Sequence, residues 1–204
     1  MSEAGTVFGM PVGLEQNYAR AGSAGVATPR VRARIVDADG QDVLPGAPGE
    51  LLLKGENIAR SYWRRPEETA AAFTEDGWFR TGDIAHADAE GFHWIVDRRK
   101  DMFISGGENV YPAEIEAVLA ADPAIAECAV VGAPDPQWGE VGHLFLVPAP
   151  GAALDPNAVL ASLDGKIARY KIPKHASLIE ALPRNGAGKV LKAELRAIIT
   201  EHST

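Results

Sequence analysis

The chain has 204 residues, 46% of them hydrophobic and 24% charged, a composition typical of one large globular domain or two small ones. The formal net charge of -8 argues against nucleic acid as a partner, because nucleic-acid-binding domains usually carry a basic face. No apolar stretch approaches the roughly 20 residues that a membrane-spanning helix needs, and the first residues carry no export signal. We therefore expect a cytoplasmic protein.

The first half of the chain has the pattern of antiparallel β-structure. Residues Val31–Val36 alternate between apolar and polar side chains, and Gly49–Gly55 is a short apolar run between glycines. Turn-forming residues at 37–40 separate them, and strand-forming residues recur at Phe92–Asp97. One short helix is predicted at Pro66–Phe73, where proline precedes acidic residues and good helix formers.

From Tyr111 onward the pattern is that of a small α+β unit. Pro112 begins a predicted helix with an apolar face of Ile115, Val118 and Leu119. Apolar runs predict strands at 125–131, 143–147 and 176–179. Before the last of these, Asp155 and Pro156 mark the start of a second helix, with this apolar face: Val159, Leu160, Leu163 and Ile167.

Other features favour ordinary structural roles. The charged run Asp97–Asp101 lacks an apolar anchor and is typical of a solvated turn or a linker. The single cysteine, Cys128, is expected in a buried strand and not in a disulfide or a metal site. The five histidines have no metal-ligand spacing, and the sequence indicates no Ser/His/Asp or Cys/His set.

Three segments could carry chemistry, and each has an ordinary alternative when taken alone. Trp78-Phe-Arg-Thr-Gly-Asp83 places a carboxylate after a glycine at a strand end, where it could bind a ribose diol or close an Asx-type turn. Ser105-Gly-Gly-Glu-Asn109 is glycine-rich but lacks the spacing of a P-loop or a dinucleotide fingerprint. Arg184-Asn-Gly-Ala-Gly-Lys189 holds a lysine that could reach into a site or lie on an exposed turn.

The order of the segments indicates more than each does alone. Gly49-Glu-Leu, Trp78 to Asp83, Asp97 to Glu116 and Leu182 to Lys189 occur in the order of the adenylate-forming superfamily, which the chain resembles over nearly its whole length. This superfamily comprises acyl-CoA synthetases, luciferases and peptide-synthetase adenylation domains. The run from Ser105 to Pro112 is most similar to the branch of fatty acyl-CoA and aryl acyl-CoA ligases.

The resemblance implies a two-step reaction. A carboxylic acid attacks the α-phosphate of Mg-ATP to give an acyl-adenylate and pyrophosphate, and the thiol of coenzyme A then displaces AMP. It also implies that Lys189 contacts the carboxylate and α-phosphate oxygens and that Glu3 helps to hold Mg²⁺. Asp83 would bind the ribose hydroxyls, Arg98 would support the same sugar, and Ser2 would hydrogen-bond a phosphate or carboxylate oxygen.

The resemblance further implies a domain rotation between the two steps. Lys100 falls on the hinge position of the family, about which the small domain swings from an adenylating pose to a thioester-forming pose. In the second pose Ser105, Gly106 and Gly107 would come to the site, where their bare backbone leaves room for the pantetheine arm of coenzyme A.

The sequence also departs from the family pattern. The loop that wraps the β- and γ-phosphates and the residues of the acyl pocket are not in these 204 residues, so we expect this piece alone to be inactive. Met1-Ser2-Glu3 resembles the end of the Tyr-Gly-Met-Ser/Thr-Glu motif, which suggests an internal start. Gly186-Ala187 replaces Pro-Thr or Pro-Ser and loosens the turn before Lys189, and Ser61 stands where glycine is usual.

We therefore predict an α+β fold, with the β-rich end of a large AMP-binding domain at 1–97 and a mobile C-terminal domain at 98–204. The predicted function is that of a long-chain or medium-chain fatty acid–CoA ligase acting with ATP, Mg²⁺ and coenzyme A. Its expected partner is the missing N-terminal portion of the same enzyme. Two alternatives stay open: a ligase that loads a carrier protein, and a non-catalytic truncated module that binds a nucleotide or coenzyme A.

Overall fold

The computed structural model describes residues 1–202, and the chain divides after Arg99 into two compact units. We call Met1–Arg99 unit 1 and the part that begins at Lys100 unit 2. The sequence pattern places this division two residues earlier, after Asp97. Both units combine strands with helices, so the predicted α+β class is confirmed. Residues 1–202 contain no helix that is both long and apolar enough to cross a membrane.

Unit 1 is built on a four-stranded antiparallel sheet. It begins with a two-stranded ribbon, β1 (Phe8–Gly9) and β2 (Val26–Ala27), whose strands are joined through helix α1 (Leu14–Tyr18). The sheet then has the order β3 (Val31–Val36), β4 (Gly49–Gly55), β5 (Phe79–Ala87) and β6 (His93–Arg98). Helix α2 (Pro66–Ala72) lies in the connection from β4 to β5.

The centre of strand β4, Leu51 to Leu53, is apolar because both of its faces are covered. Leu51 and Leu53 share a core with Phe79 on one face, and Leu52 lies with Trp78 on the other. A strand covered on both faces has a continuous apolar run instead of an alternating pattern. This packing fixes β4 and its neighbour β5 as the rigid centre of unit 1.

Unit 2 is built around one central strand. Its elements are the hairpin β7 (Phe103–Ser105) and β8 (Glu108–Val110), helix α3 (Pro112–Leu119), strands β9 (Ile125–Asp135) and β10 (Gly139–Pro148), helix α4 (Pro156–Ser162), a 3₁₀ turn (Arg169–Lys171), strand β11 (His175–Leu178) and helix α5 (Lys192–His202). Strand β10 pairs antiparallel with β9 and parallel with β11. Strand β7 joins β10 at one pair, Ser105 and Gly139.

Helices cover both faces of the unit 2 sheet. On one face Leu144 of β10 shares a core with Ile115 of α3 and Val159 of α4. On the other face Phe145 shares a core with Leu195 of α5. Successive side chains of a strand point to opposite faces, so one apolar run in β10 supplies both cores. The sheet is therefore a fixed support for the loops at its ends.

The predicted strands and the three predicted helices are confirmed, with three corrections. Asp83 lies inside β5 and not at a strand end, because pairing with β6 continues to Ala87. The N-terminal region, which shows no helix or strand start in its sequence, contains the short elements β1 and α1. Helix α5 is not among the predicted helices, although its Leu195, Ile198 and Ile199 have helical spacing and pack against one core.

Two further expectations concern single residues. Cys128 lies in β9 as predicted and is half-buried there; burial is the main cause that raises the pKa of its thiol to about 11. Asp155 caps α4 as predicted, with its carboxylate accepting from the N–H of Asn157 at 2.9 Å. The helix ends at Ser162, and Leu163 is its C-cap residue. The Leu163 side chain is fully buried, although the residue lies just outside the helix.

Candidate active site

Asp83 lies at a bulge in the middle of β5. Three residues of β5, Thr81, Gly82 and Asp83, lie opposite the single residue Leu51 of β4. The Thr81 hydroxyl closes this bulge, because its Oγ1 donates to the Leu51 carbonyl at 2.7 Å and accepts from the Asp83 N–H at 3.0 Å. Gly82 has φ of 68°, in the left-handed region that favours glycine. Bulges often re-aim a side chain beside an active site, and this one fixes Asp83.

Arg98 is the cross-strand neighbour of Asp83 on β6. Its Nε lies 2.7 Å from Oδ1 of Asp83, and the side chains of Asp83 and Arg98 are 15% and 43% exposed. A short charge-assisted pair of this kind restricts the orientation of both groups. The structure thus brings together the two residues that the family resemblance assigns to the ribose, on adjacent strands of a rigid sheet.

Ser2 and Glu3 lie in a turn at the N-terminus, where Ser2 is exposed and Glu3 is half-buried. The Glu3 carbonyl accepts from the N–H of Ala59 at 2.7 Å, which ties the turn to the segment after β4. The Tyr62 hydroxyl donates to Oε1 of Glu3 at 3.2 Å. Burial raises the pKa of Tyr62, and the hydrogen bond to Glu3 raises it further. The Glu3 carboxylate is therefore oriented by a neutral hydroxyl donor.

Glu3 fits a single-carboxylate magnesium site. Among residues 1–202, no group of three or more His, Cys, Asp or Glu side chains could hold a metal ion. Mg²⁺ is usually bound through one or two carboxylates together with water and substrate phosphates, so a complete protein cage is not needed. Within unit 1, one oriented carboxylate is compatible with a metal that arrives bound to ATP.

Ser105, Gly106 and Gly107 form the tight turn of the β7–β8 hairpin. Gly106 and Gly107 have φ of 60° and 89°, so both adopt the left-handed backbone of such turns. The Gly106 N–H donates to the Trp138 carbonyl at 2.9 Å. A Cβ atom at Gly106 would lie 2.7 Å from Cε3 of Trp138, whereas one at Gly107 would meet no atom within 4 Å. Gly106 is therefore required both by its dihedral angle and by the approach of Trp138.

A cavity of about 790 Å³ opens beside Gly106. Its lining includes the carboxylates Glu108 and Asp164, of which Asp164 lies 3.9 Å from Arg169, together with these aromatic and cationic side chains: Trp138, Arg169, Tyr170 and Lys174. Trp138 and Tyr170 are 43% and 44% exposed, and Nζ of Lys174 lies 6.0 Å from the centroid of the Trp138 ring. The sequence pattern gives these residues no role. The presence of Trp138 in the otherwise polar turn Pro134–Glu140 is the feature of the sequence that could have indicated a binding role.

Lys189 lies on an exposed turn between β11 and α5. Asn185 closes the turn, since its Oδ1 accepts from the Lys189 N–H and its own N–H donates to the Lys189 carbonyl, both at 3.0 Å. The Arg184 guanidinium donates to the Gly188 carbonyl at 2.6 Å and pairs with Glu127 of β9 at 2.8 Å. The backbone that carries Lys189 is thus held, while its side chain extends into solvent.

The Lys189 turn and the Gly106 turn lie at opposite ends of the β9–β10 hairpin. Arg184 ties the first turn to Glu127, near the start of β9, whereas Trp138, which binds Gly106, follows the end of β9 at Asp135. From 127 to 135 is 8 residues, and at about 3.3 Å per residue the two turns are separated by about 25 Å along the strand. Both turns belong to unit 2.

Lys100, the predicted hinge, is the first residue of unit 2 and is exposed. Its carbonyl accepts from the guanidinium of Arg196 on α5 at 3.4 Å. Apart from this hinge residue, the predicted site residues lie in four groups. Ser2 and Glu3 lie in the N-terminal turn. Asp83 and Arg98 are in direct contact, Ser105 to Gly107 form one turn, and Lys189 lies on another.

Two family models match the chain. The model of the AMP-binding enzyme matches residues 1–63, and the model of the AMP-binding enzyme C-terminal domain matches residues 114–189. The indoleacetate–CoA ligase of Aromatoleum aromaticum is 51% identical over 180 residues, which cover 88% of this chain and 35% of that enzyme. The fatty acid–[acyl-carrier-protein] ligase ScoC of Streptomyces coeruleorubidus is 44% identical over 174 residues, which cover 85% of this chain and 33% of that enzyme.

A solved structure of similar fold is o-succinylbenzoate coenzyme A synthetase (MenE) from Bacillus subtilis, in complex with ATP and a magnesium ion. It matches with a TM-score of 0.82 and 38% sequence identity, over 91% of this chain and 38% of that one. The chain spans about a third of the length of the curated relatives described above. It belongs to the AMP-binding enzyme family, the adenylate-forming superfamily that its motifs predict.

Proposed function

We propose that this chain is the C-terminal part of a cytoplasmic acid–thiol ligase. In the first step the carboxylate of an acid attacks the α-phosphate of Mg-ATP, which forms an acyl-adenylate and releases pyrophosphate. In the second step the thiol of coenzyme A displaces AMP from the acyl-adenylate to form a thioester. The observation that carries this proposal is the separation of about 25 Å between the Lys189 turn and the Gly106 turn along β9. One fixed pose of unit 2 cannot bring both turns to the same phosphate, so each is suited to a different step.

The first step uses charge neutralisation at the α-phosphate. Asp83 and Arg98 bind the ribose and so hold the nucleotide against unit 1, and Ser2 donates to a phosphate or carboxylate oxygen. Glu3 supplies a carboxylate to the Mg²⁺ that accompanies ATP, and this ion withdraws charge from the phosphates. The Lys189 ammonium, exposed on a flexible stem, supplies the cation that stabilises the developing charge.

The second step uses the cavity beside Gly106. Its exposed aromatic rings, Trp138 and Tyr170, offer stacking faces for an adenine ring, and Lys174 and Arg169 offer cations for phosphates. The bare turn at Gly106 and Gly107 leaves space beside the backbone for a thin pantetheine arm. These features match the three chemical parts of coenzyme A in one continuous cavity.

For the acid we infer a long-chain or medium-chain fatty acid. The run from Ser105 to Pro112 is similar to a branch that contains both fatty acyl-CoA and aryl acyl-CoA ligases, so an aryl acid is the second candidate. For the acceptor we infer coenzyme A, and a carrier protein is the second candidate because the relative ScoC is named for loading one. A phosphopantetheine arm on a carrier would use the turn at Gly106 but would leave the adenine-sized faces of Trp138 and Tyr170 without a ligand.

The test is an assay of the complete enzyme that contains this chain. A mixed pool of fatty and aryl acids is supplied with Mg-ATP and either coenzyme A or a phosphopantetheinylated carrier, and acyl products are identified by mass spectrometry. We expect fatty acyl-CoA. Acyl-carrier products without acyl-CoA would show that the acceptor is a carrier protein and not coenzyme A. Aryl-CoA products would show that the acid is aryl and not fatty. The absence of any adenylate-dependent product would refute the proposed function.

A further inference from the structure

Glu50, the second residue of β4, is a buried carboxylate with two guanidinium partners. The residue is 7% exposed. Its Oε2 lies 3.0 Å from a terminal nitrogen of Arg80 and 2.9 Å from one of Arg99. A buried carboxylate is stable only when it is paired and hydrogen-bonded, so both contacts offset the loss of its hydration.

The two arginines contact Glu50 from different places in the chain. Arg80 lies on β5 opposite Leu52 of β4, so its contact with Glu50 is an ordinary diagonal one between neighbouring strands of the same sheet. Arg99 lies one residue beyond the end of β6 and still reaches back to β4. Its backbone is attached as well, because its N–H donates to the Gly82 carbonyl at 2.8 Å. Arg99 is therefore bound to unit 1 through side chain and backbone together.

The next residue is attached to the other unit. Lys100 begins unit 2, and its carbonyl accepts from Arg196 of α5. The change from one unit to the other thus takes place across the peptide bond between Arg99 and Lys100. The torsions left between the two attachments are ψ of Arg99 and the two backbone torsions of Lys100. A hinge works through a few torsions of this kind.

We propose that Glu50 is a positioning residue that anchors Arg99 to unit 1 and so confines the rotation between the units to Lys100. The inference rests on the proposed function, in which unit 2 presents the Lys189 turn in one step and the Gly106 turn in the other. These turns are separated by about 25 Å. A shift of the rotation axis by one residue therefore moves the reacting groups by several ångströms. Glu50 keeps the pivot at one residue.

Amide hydrogen exchange of the 204-residue chain, resolved by residue with NMR, tests the anchor. Arg99→Gln removes an exposed guanidinium and leaves the sheet intact, and Glu50→Gln removes the charge that binds it. We expect the Arg99 amide to exchange about tenfold faster in both variants, since one charge-assisted hydrogen bond is lost. The double variant should be no faster than either single one, because both remove the same contact. The matched control Arg80→Gln, which removes the other partner of Glu50, should leave this amide unchanged.

Two outcomes would overturn the proposal. One is an unchanged Arg99 amide in Arg99→Gln, which would mean that the side-chain contact does not hold the backbone. The other is an equal acceleration across the amides of β4 and β5 in Glu50→Gln with no separate effect at Arg99, which would make Glu50 an ordinary structural group. The measurement uses no substrate, so its failure is distinct from a failed ligase assay.

Discussion

Asp83 and Lys189 are placed in opposite ways, although the family resemblance assigns both to the same nucleotide. Asp83 is fixed from three sides by the bulge, by the Thr81 hydroxyl and by Arg98. Lys189 has a held backbone and an exposed side chain. Under the proposed function, the difference means that unit 1 would hold the nucleotide in one geometry through both steps, while unit 2 would bring groups to it in turn. A side chain that acts in only one of the two steps must be able to move away from the nucleotide in the other.

The largest effect is expected from Lys189→Ala in the complete enzyme. Removing a cation that meets developing charge only in adenylation costs about 3 kcal/mol, or roughly 100-fold in the first half-reaction. Thioester formation from a supplied acyl-adenylate should stay close to the wild-type rate. The two half-reactions are measured separately, by pyrophosphate exchange and by acyl-CoA formation.

Lys166→Ala is the matched control, because Lys166 is also an exposed lysine on a turn of unit 2. Both half-reactions should be unaffected there. If Lys189→Ala instead lowers both half-reactions equally, the lysine serves folding or nucleotide binding throughout, and the contrast with Asp83 is lost.

Thr81→Val tests whether the bulge holds Asp83. Valine has nearly the same shape but leaves the Leu51 carbonyl and the Asp83 N–H without their partner in a buried place. The expected loss is about 1–3 kcal/mol in the free energy of unfolding of unit 1, measured by urea titration. Thr6→Val changes an exposed threonine of the same unit and should stay within about 0.5 kcal/mol. Equal stability of the two variants would contradict the role given to the hydroxyl.

Gly106→Ala and Gly107→Ala form a matched pair in unit 2. Both place a side chain on left-handed backbone, which costs about 1 kcal/mol, but only the alanine at 106 meets the Trp138 ring. We expect Gly106→Ala to be the less stable by a further 1 kcal/mol or so, since overpacking costs about 1–3 kcal/mol. Thermal unfolding of the chain measures the difference. Identical midpoints would mean that the ring moves aside without strain.

How far the sequence predicts this structure depends on the kind of contact. Regular strands such as β3 and β4 follow from local patterns, because apolar runs and turn residues are visible in a few neighbouring positions. The pairing of Asp83 with Arg98 needs the register of β5 against β6, which a single sequence does not contain. The family resemblance names both residues but gives no reason for their proximity.

The cavity lining is also beyond local reasoning. Trp138 lies in the turn between β9 and β10, whereas Tyr170 and Lys174 lie in the connection from α4 to β11, and the pairing of β10 with both neighbours brings these two segments together. Helix α5 is different, because Leu191, Leu195, Ile198 and Ile199 have the spacing of an amphipathic helix and could have indicated it. Long-range packing decides the cavity lining, and composition and spacing do not record it.

The smallest effect concerns the sheet beneath the exposed turns, and His143 on β10 reports on it. Burial, with repulsion from His175, lowers the pKa of His143 to about 4 in the folded protein, against about 6.5 in an unfolded chain. Between these values the unfolded chain takes up a proton that the folded one does not. The stability contributed by neutral His143 is therefore complete above about pH 6.5 and is lost as the pH falls toward 4.

His143→Gln removes this titration and can keep a hydrogen bond to Ser177, which lies 2.9 Å from Nε2. We expect the free energy of unfolding of the wild type to fall more steeply than that of the variant between about pH 7 and pH 5, measured by urea titration. His86→Gln in unit 1 controls for loss of an imidazole. If the free energy of unfolding changes with pH in the same way for the wild type and His143→Gln, water reaches His143 in the folded protein. The sheet would then be open to solvent near the exposed turns that it carries.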